Sequence, residues 1–207
     1  MSLTDDDNGT PPASEAEAEF LARAVDLARD NAAVGRLPFG AVIVRDGAVL
    51  ATGVNTELRD LDPIAHAEIA AVRNACRSLG TLELVGATVV SSCEPCAVCH
   101  AAAAAAGVTR ILYAAPKEDV PELEGTPPSA HLATMSRMRD ALRATVPGQI
   151  SYVPTHGARE PFLRYLAHRD RSRCDWDSTF QTLDRRRHQR TSVNGSGSPR
   201  TAASRWR

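Results

Sequence analysis

The feature that most constrains the fold is a pair of short β-rich runs joined by Asp46-Gly47, a dipeptide that strongly favours a two-residue hairpin turn. The first run begins at Gly40 and the second ends at Asn55. After this hairpin, apolar runs of strand length alternate with longer runs of helical periodicity. A first helix is predicted before the hairpin, from Ser14 to about Asn31. Further helices are predicted at 65–79, 96–107, 132–143 and 160–168, and strands at 87–91, 110–114 and 149–153. Since parallel strands need long crossover connections, which are usually helical, the pattern predicts a three-layer α/β/α domain with a mixed sheet.

The two ends of the chain depart from this pattern. Residues 1–14 are polar and rich in Asp and Pro, and they are predicted to form a disordered leader that ends at a helix N-cap, Ser14. Residues 15–168 hold the regular elements and are predicted to form one domain. Residues 169–207 contain ten arginines against four aspartates. We interpret this segment as a mostly disordered tail, because it cannot bury enough apolar surface to offset its ordering entropy; the less favoured alternative is an arm that binds RNA.

Charge, hydropathy and cysteine spacing bound the class of protein. The net charge is −1, which favours neither a nucleic acid nor a membrane as partner of the whole chain. No apolar stretch approaches the roughly 20 residues that cross a bilayer, and the acidic start of the chain does not fit a signal peptide. Three of the five cysteines, Cys93, Cys96 and Cys99, fall within seven residues, a spacing typical of metal binding. A cytoplasmic, metal-binding protein is therefore predicted.

Two short motifs can supply a zinc site. His66-Ala-Glu68 and Pro95-Cys96-Ala-Val-Cys99 each lie at the start of a predicted helix. Zinc prefers imidazole nitrogen and thiolate sulfur in a tetrahedral shell, and three protein donors with an open fourth position are typical of a catalytic zinc. We therefore predict that His66, Cys96 and Cys99 bind Zn²⁺.

Glu68 is the candidate catalytic residue. It lies two residues from His66, so its carboxylate can reach a water at the metal without binding the metal itself. His-x-Glu or Cys-x-x-Cys alone is a weak signal, since the second is more often a redox pair or half of a structural zinc site. Their combination is the signature of zinc deaminases, in which the glutamate moves protons and is not a ligand. The sequence therefore predicts a zinc-dependent hydrolase that releases ammonia from an aminated nucleobase or nucleoside.

Residues 20–168 resemble the cytidine deaminase-like superfamily, and within it the branch of bacterial guanine deaminases and tRNA adenosine deaminases. The similarity is carried by three stretches: Pro38-Phe-Gly-Ala-Val-Ile-Val44, Asp62-Pro-Ile-Ala-His-Ala-Glu68 and Ser92-Cys-Glu-Pro-Cys-Ala-Val-Cys99. The resemblance implies a five-stranded sheet between helices and a homodimer. It also implies that Asn55 hydrogen-bonds the substrate and that Phe39 and Ala65 line the pocket.

One departure from the guanine deaminases concerns the residues that recognise the substrate base. Those enzymes carry an Asp-Asp pair in the loop after the fourth strand, and the matching stretch near Gly125-Thr-Pro-Pro128 has none, so Glu122 or Glu124 are the candidates to replace it. The resemblance also implies an aromatic residue that closes the pocket, and Tyr165 and Trp176 are the two candidates. The predicted substrate is a guanine-like or cytosine-like small molecule. The alternatives are a tRNA adenosine deaminase and a zinc-stabilised binding module without activity.

Overall fold

The computed structural model describes residues 14–124, 129–145 and 149–171. The predicted leader before Ser14 and the tail from residue 172 onward lie outside these residues, so the predicted domain limits stay a prediction. Trp176 and the loop residues 125–128 also lie outside them.

The described chain begins with a helix, which a β-hairpin follows, and it continues as alternating helices and strands. The helices are α1 (Glu15–Ala33), α2 (Glu57–Asp60), α3 (Ala67–Leu79), α4 (Ala97–Ala105), α5 (Ser129–Thr145) and α6, which begins at residue 160. The strands are β1 (Gly40–Arg45), β2 (Ala48–Val54), β3 (Thr88–Ser91), β4 (Arg110–Tyr113) and β5 (Ile150–Tyr152). Every predicted helix and strand is present, whereas α2 and a 3-10 turn at Lys117–Asp119 were not predicted. None of the described helices is long and apolar enough to span a membrane.

The five strands form one mixed sheet in the order β2-β1-β3-β4-β5. β1 pairs antiparallel with both β2 and β3, and β3, β4 and β5 run parallel to one another. The hairpin turns at Asp46 and Gly47, which both have positive φ as a type I′ turn requires. The predicted five-stranded mixed sheet is therefore confirmed.

The sheet buries a different apolar cluster on each face, because neighbouring residues of a strand point to opposite sides. Ala41 and Ile43 of β1 face a cluster that includes residues of α3 and α4. Val42 and Val44 face a second cluster with residues of α1 and α6. Helices thus cover both faces, which confirms the three-layer α/β/α arrangement. One layer, α3 and α4, carries the two predicted metal-binding motifs.

A glycine sets how closely α3 approaches the sheet. A Cβ atom at Gly53 of β2 would lie 2.2 Å from the carbonyl oxygen of Ala67 and 2.4 Å from the backbone nitrogen of Ala71. No residue with a side chain fits there without moving the helix. Gly53 therefore lets the first turn of α3 lie directly against β2.

Candidate metal centre

His66 and Glu68 lie at the beginning of α3. His66 is the N-cap residue, with extended backbone angles, and Glu68 belongs to the first turn. The loop before the helix is held by its own backbone, since Ala65 N–H donates to the Asp62 carbonyl and the Ala65 carbonyl accepts from Thr56 N–H. The helix ends at Gly80, whose left-handed conformation suits a helix C-terminus. The loop thus fixes where α3 begins, and Gly80 fixes where it ends.

Cys96 and Cys99 occupy the matching positions of α4. Cys96 is the N-cap residue and Cys99 lies in the first turn. Pro95 precedes the helix rather than forming its first turn. The side chain of the neighbouring Glu94 is 5% exposed. Its Oε1 atom lies 2.6 Å from Arg143 Nη1 and 3.5 Å from Arg139 Nη1, and both arginines belong to α5. Two arginines of α5 therefore anchor the loop that leads into Cys96.

The three predicted donor atoms lie close together. His66 Nδ1 is 3.3 Å from Cys99 Sγ and 3.4 Å from Cys96 Sγ, and the two sulfur atoms are 3.6 Å apart. Zinc bond lengths of about 2.3 Å to sulfur and 2.0–2.1 Å to nitrogen give tetrahedral donor separations of about 3.5–3.8 Å. These residues also form a group whose donor atoms lie within 4.8 Å of one another. The geometry and the chemistry of this donor set therefore fit zinc.

The donors influence one another's protonation. The hydrogen bond with Cys99 and the proximity of His66 lower the pKa of the Cys96 thiol to about 4, against the opposing effect of burial. Burial disfavours protonation of His66, but Cys96 and Glu57 outweigh it and raise its pKa to about 11. The pKa of the Cys99 thiol lies well above its usual value, because its hydrogen bond with Cys96 and its burial both favour the protonated thiol. These shifts favour a thiolate at Cys96 beside a protonated His66.

Glu68 lies beside the cluster and does not belong to it. Its side chain is buried, its Oε2 atom is 3.2 Å from Cys99 Sγ, and its Oε1 atom accepts a 2.7 Å hydrogen bond from the Ser91 hydroxyl.

Cys93 is buried in the apolar cluster with Val42, and burial raises the pKa of its thiol. Among the described residues, the cluster comprises His66, Cys96 and Cys99 without Cys93.

Asn55 is buried, and its backbone carbonyl and both ends of its side-chain amide are hydrogen-bonded. Its backbone carbonyl accepts from the Asn31 side chain, its Oδ1 accepts from Glu57 N–H, and its Nδ2 donates to the Glu57 carboxylate. The other Glu57 oxygen lies 3.6 Å from His66 Nε2, the ring nitrogen that faces away from the cysteines. Glu57 thus links the predicted substrate-binding asparagine to the predicted zinc-binding histidine.

Two of these polar neighbours were missed in the sequence. Glu57 lies on a helix of four residues that was not predicted, and Ser91 ends a strand interpreted only as buried core. For Glu57 a usable signal existed in its position two residues after Asn55. Ser91 gave no local signal, because its partner Glu68 is 23 residues away.

The other predicted pocket residues fall in different environments. Ala65 is buried, and the Phe39 ring packs edge-on against Phe162 with ring centroids 6.0 Å apart. Tyr165 is 2% exposed and lies in the core cluster that contains Leu37. Glu122 and Glu124 are exposed. Their proposed contacts with substrate stay predictions.

Residues 14–115 match the family model described as the cytidine and deoxycytidylate deaminase zinc-binding region. They include both motifs and all three donors of the metal cluster. This chain belongs to that family. The predicted resemblance and the predicted zinc cofactor are thereby confirmed, and this member of the family is a zinc deaminase by its motif and its donor geometry.

Several proteins of this deaminase family are similar to the chain. Guanine deaminase of Bacillus subtilis is 47% identical over 105 residues, which are 50% of this chain and 67% of that protein. The tRNA-specific adenosine deaminase of Agrobacterium fabrum is 41% identical over 96 residues, which are 46% of this chain and 63% of that protein. The solved structure of guanine deaminase from Nitrosomonas europaea aligns with a TM-score of 0.58 at 26% identity, covering 77% of this chain and 90% of the other.

Proposed function

We propose that this zinc deaminase acts on a free aminated nucleobase, with guanine as the first candidate, and releases ammonia. The observation that carries the proposal is the buried Glu68 carboxylate beside the His66, Cys96 and Cys99 donors. The 47% identity with a guanine deaminase supports the choice of base. A purely structural zinc site needs no carboxylate beside an open position, so Glu68 also argues against an inactive binding module.

The chemistry requires a nucleophilic water and a group that moves protons. Bound zinc acts as a Lewis acid and makes water nucleophilic near neutral pH. The Glu68 carboxylate accepts a proton from the attacking water and passes it to a ring nitrogen. It then takes the remaining proton of the added hydroxyl group and delivers it to the amino group as the carbon–nitrogen bond breaks. Water and the aminated ring thus become a ring carbonyl and ammonia.

Three further side chains are proposed to bind the base. The Asn55 amide is proposed to pair with a polar edge of the base, and its Nδ2 donates to Glu57 in this structure. A substrate that accepts from Nδ2 must therefore share it with that carboxylate or displace it. Phe39 and Ala65 supply apolar surface for the ring, and Phe162 supports Phe39 from its edge.

A tRNA adenosine is the second candidate substrate, because the chain is 41% identical to a tRNA-specific adenosine deaminase over 96 residues. The arginine-rich residues that would assist RNA binding lie mostly outside the described part of the chain. A homodimer and a cytoplasmic location remain expectations from the sequence.

An ammonia-release assay tests the proposal. Purified zinc-loaded protein is incubated with guanine, cytosine, their nucleosides, adenosine and a tRNA anticodon stem-loop. We expect release from guanine, and we expect Glu68→Gln to lower it by about 10²- to 10⁴-fold while zinc content stays unchanged. Release from the stem-loop alone would transfer the assignment to tRNA. Release from no member of the panel by the unaltered protein would support the inactive binding module.

A further inference from the structure

Ser91 holds the proposed proton-transfer group through one short hydrogen bond. The Ser91 hydroxyl donates to Glu68 Oε1 at 2.7 Å, and both residues are buried, at 1% and 7% exposed. A buried carboxylate must be hydrogen-bonded to remain ionised at low cost, and bonds to a charged acceptor are stronger than those between neutral groups. This contact is therefore a main determinant of where the Glu68 side chain lies.

The backbone of Ser91 is itself held rigidly. It is the last residue of β3 and lies between Ala41 of β1 and Tyr113 of β4 in the sheet. Its carbonyl accepts from Ala114 N–H at 3.0 Å, and its hydroxyl oxygen accepts from Cys93 N–H at 3.4 Å. With its lone pair directed to Cys93, the hydroxyl has its proton available for Glu68. Ser91 is thus a fixed donor on the central part of the sheet.

The two oxygens of Glu68 consequently have different surroundings. Oε1 is occupied by Ser91, whereas Oε2 lies 3.2 Å from Cys99 Sγ, on the side of the metal donors. The Cys99 thiol donates a hydrogen bond to Oε2, and this bond is lost when Cys99 binds a metal as a thiolate. In the metal-loaded protein, a carboxylate without the Ser91 bond could therefore rotate about its last bond and present either oxygen.

We propose that Ser91 is a positioning residue of this deaminase: its hydroxyl fixes Glu68 so that Oε2 is the oxygen that exchanges protons with water and substrate. The inference rests on the proposed role of Glu68 in catalysis. Ser91 is not one of the donors of the metal cluster, and its proposed effect on catalysis passes through Glu68.

The adjacent serine provides a matched control. Ser92 is also buried, at 2% exposed, and its hydroxyl oxygen accepts a 3.0 Å hydrogen bond from Gly40 N–H. Ser92→Ala removes a buried hydroxyl of the same kind without touching Glu68. A purely structural role of buried serines predicts similar effects for Ser91→Ala and Ser92→Ala.

The test measures kcat and KM for ammonia release from guanine, with zinc content and Tm measured on the same samples. We expect Ser91→Ala to lower kcat by about 10- to 100-fold, the value of a hydrogen bond to a charged group, with little change in KM or bound zinc. Ser91→Thr should restore most of kcat because it restores the hydroxyl. Ser92→Ala should lower Tm while leaving kcat close to that of the unaltered protein. If Ser91→Ala does not accumulate in folded form, Ser91→Thr and Ser91→Val make the same comparison, since they differ in one hydroxyl and one methyl.

The inference is overturned if Ser91→Ala keeps the kcat of Ser92→Ala, or if Ser91→Thr is no better than Ser91→Val. Crystal structures of the zinc-loaded unaltered protein, Ser91→Ala and Ser92→Ala provide a readout that is independent of activity. We expect the Glu68 carboxylate to rotate in Ser91→Ala only, and an unchanged carboxylate there refutes the inference. If the unaltered protein is inactive on every substrate, the proposed function fails while the structures still decide the role of Ser91.

Discussion

Replacing Gly53 by alanine tests whether the close approach of α3 to β2 sets the geometry of the metal centre. The added Cβ would lie 2.2 Å from the Ala67 carbonyl oxygen, and Cβ atoms essentially never come within 3.0 Å of such atoms. The difference requires α3 to move away from β2 by about 0.8 Å, since an overpacked site must shift its backbone. Ala67 lies between His66 and Glu68, so the same movement displaces a zinc donor and the proposed proton-transfer group from the cysteines of α4.

The expected size of the effect follows from this displacement. Overpacking of this kind costs about 1–3 kcal/mol in the free energy of unfolding. A misplacement approaching 1 Å lowers kcat by up to about 10²-fold. Zinc affinity should fall as well, because the His66 nitrogen no longer sits at tetrahedral distance from both sulfur atoms.

Urea denaturation, chelator competition and ammonia release measure the three quantities on one preparation. Gly47→Ala is the matched control, since its Cβ would meet no atom within 4 Å and its φ of +74° carries only the conformational cost. That cost is about 1–2 kcal/mol, with no effect on zinc affinity. If Gly53→Ala binds zinc and turns over substrate as well as Gly47→Ala does, the proposed coupling between β2 and the metal centre is wrong.

Three further predictions concern charged groups around the site. Glu57→Gln removes the carboxylate that faces His66 Nε2, and we expect chelator competition to show about 10- to 100-fold weaker zinc binding, whereas an unchanged affinity contradicts this role. Glu94→Gln removes the buried carboxylate that pairs with Arg143 and lies near Arg139, which keeps Asp140 as a partner. Urea denaturation should therefore show that the free energy of unfolding falls by about 1.5–3 kcal/mol, and an unchanged value excludes the proposed anchor. The raised pKa values of Cys99 and His66 favour their protonated forms at neutral pH. Zinc binding should therefore release about two protons, and zinc affinity should increase with rising pH. Calorimetry that detects no proton release on zinc binding contradicts these protonation states.

The fold was predictable because its signals are local. Asp46-Gly47 fixed the hairpin, and the alternation of helical and strand-like runs then required parallel crossovers. The limits of the elements were less predictable. α5 extends beyond the predicted range 132–143 at both ends, and α2 has too few residues to show periodicity. Neither shift changes the order of the sheet.

The metal site was predictable because its donors come from two compact motifs at helix starts. His66 and Cys96 became N-cap residues, which brings their side chains together at one edge of the sheet. The polar support was not predictable, because Ser91 and Glu68, like Glu94 and Arg143, meet only through tertiary packing. Sequence spacing carries no information about such pairs until the order of the strands is known.

X-ray absorption at the zinc edge, combined with metal analysis of the purified protein, tests the central claim most directly. We predict one zinc per chain with two sulfur donors at about 2.3 Å and one histidine nitrogen at about 2.0–2.1 Å. Removal of either Cys96 or Cys99 should reduce the sulfur count by one. A protein that retains no stoichiometric zinc, or a metal shell without two sulfur atoms, contradicts the account.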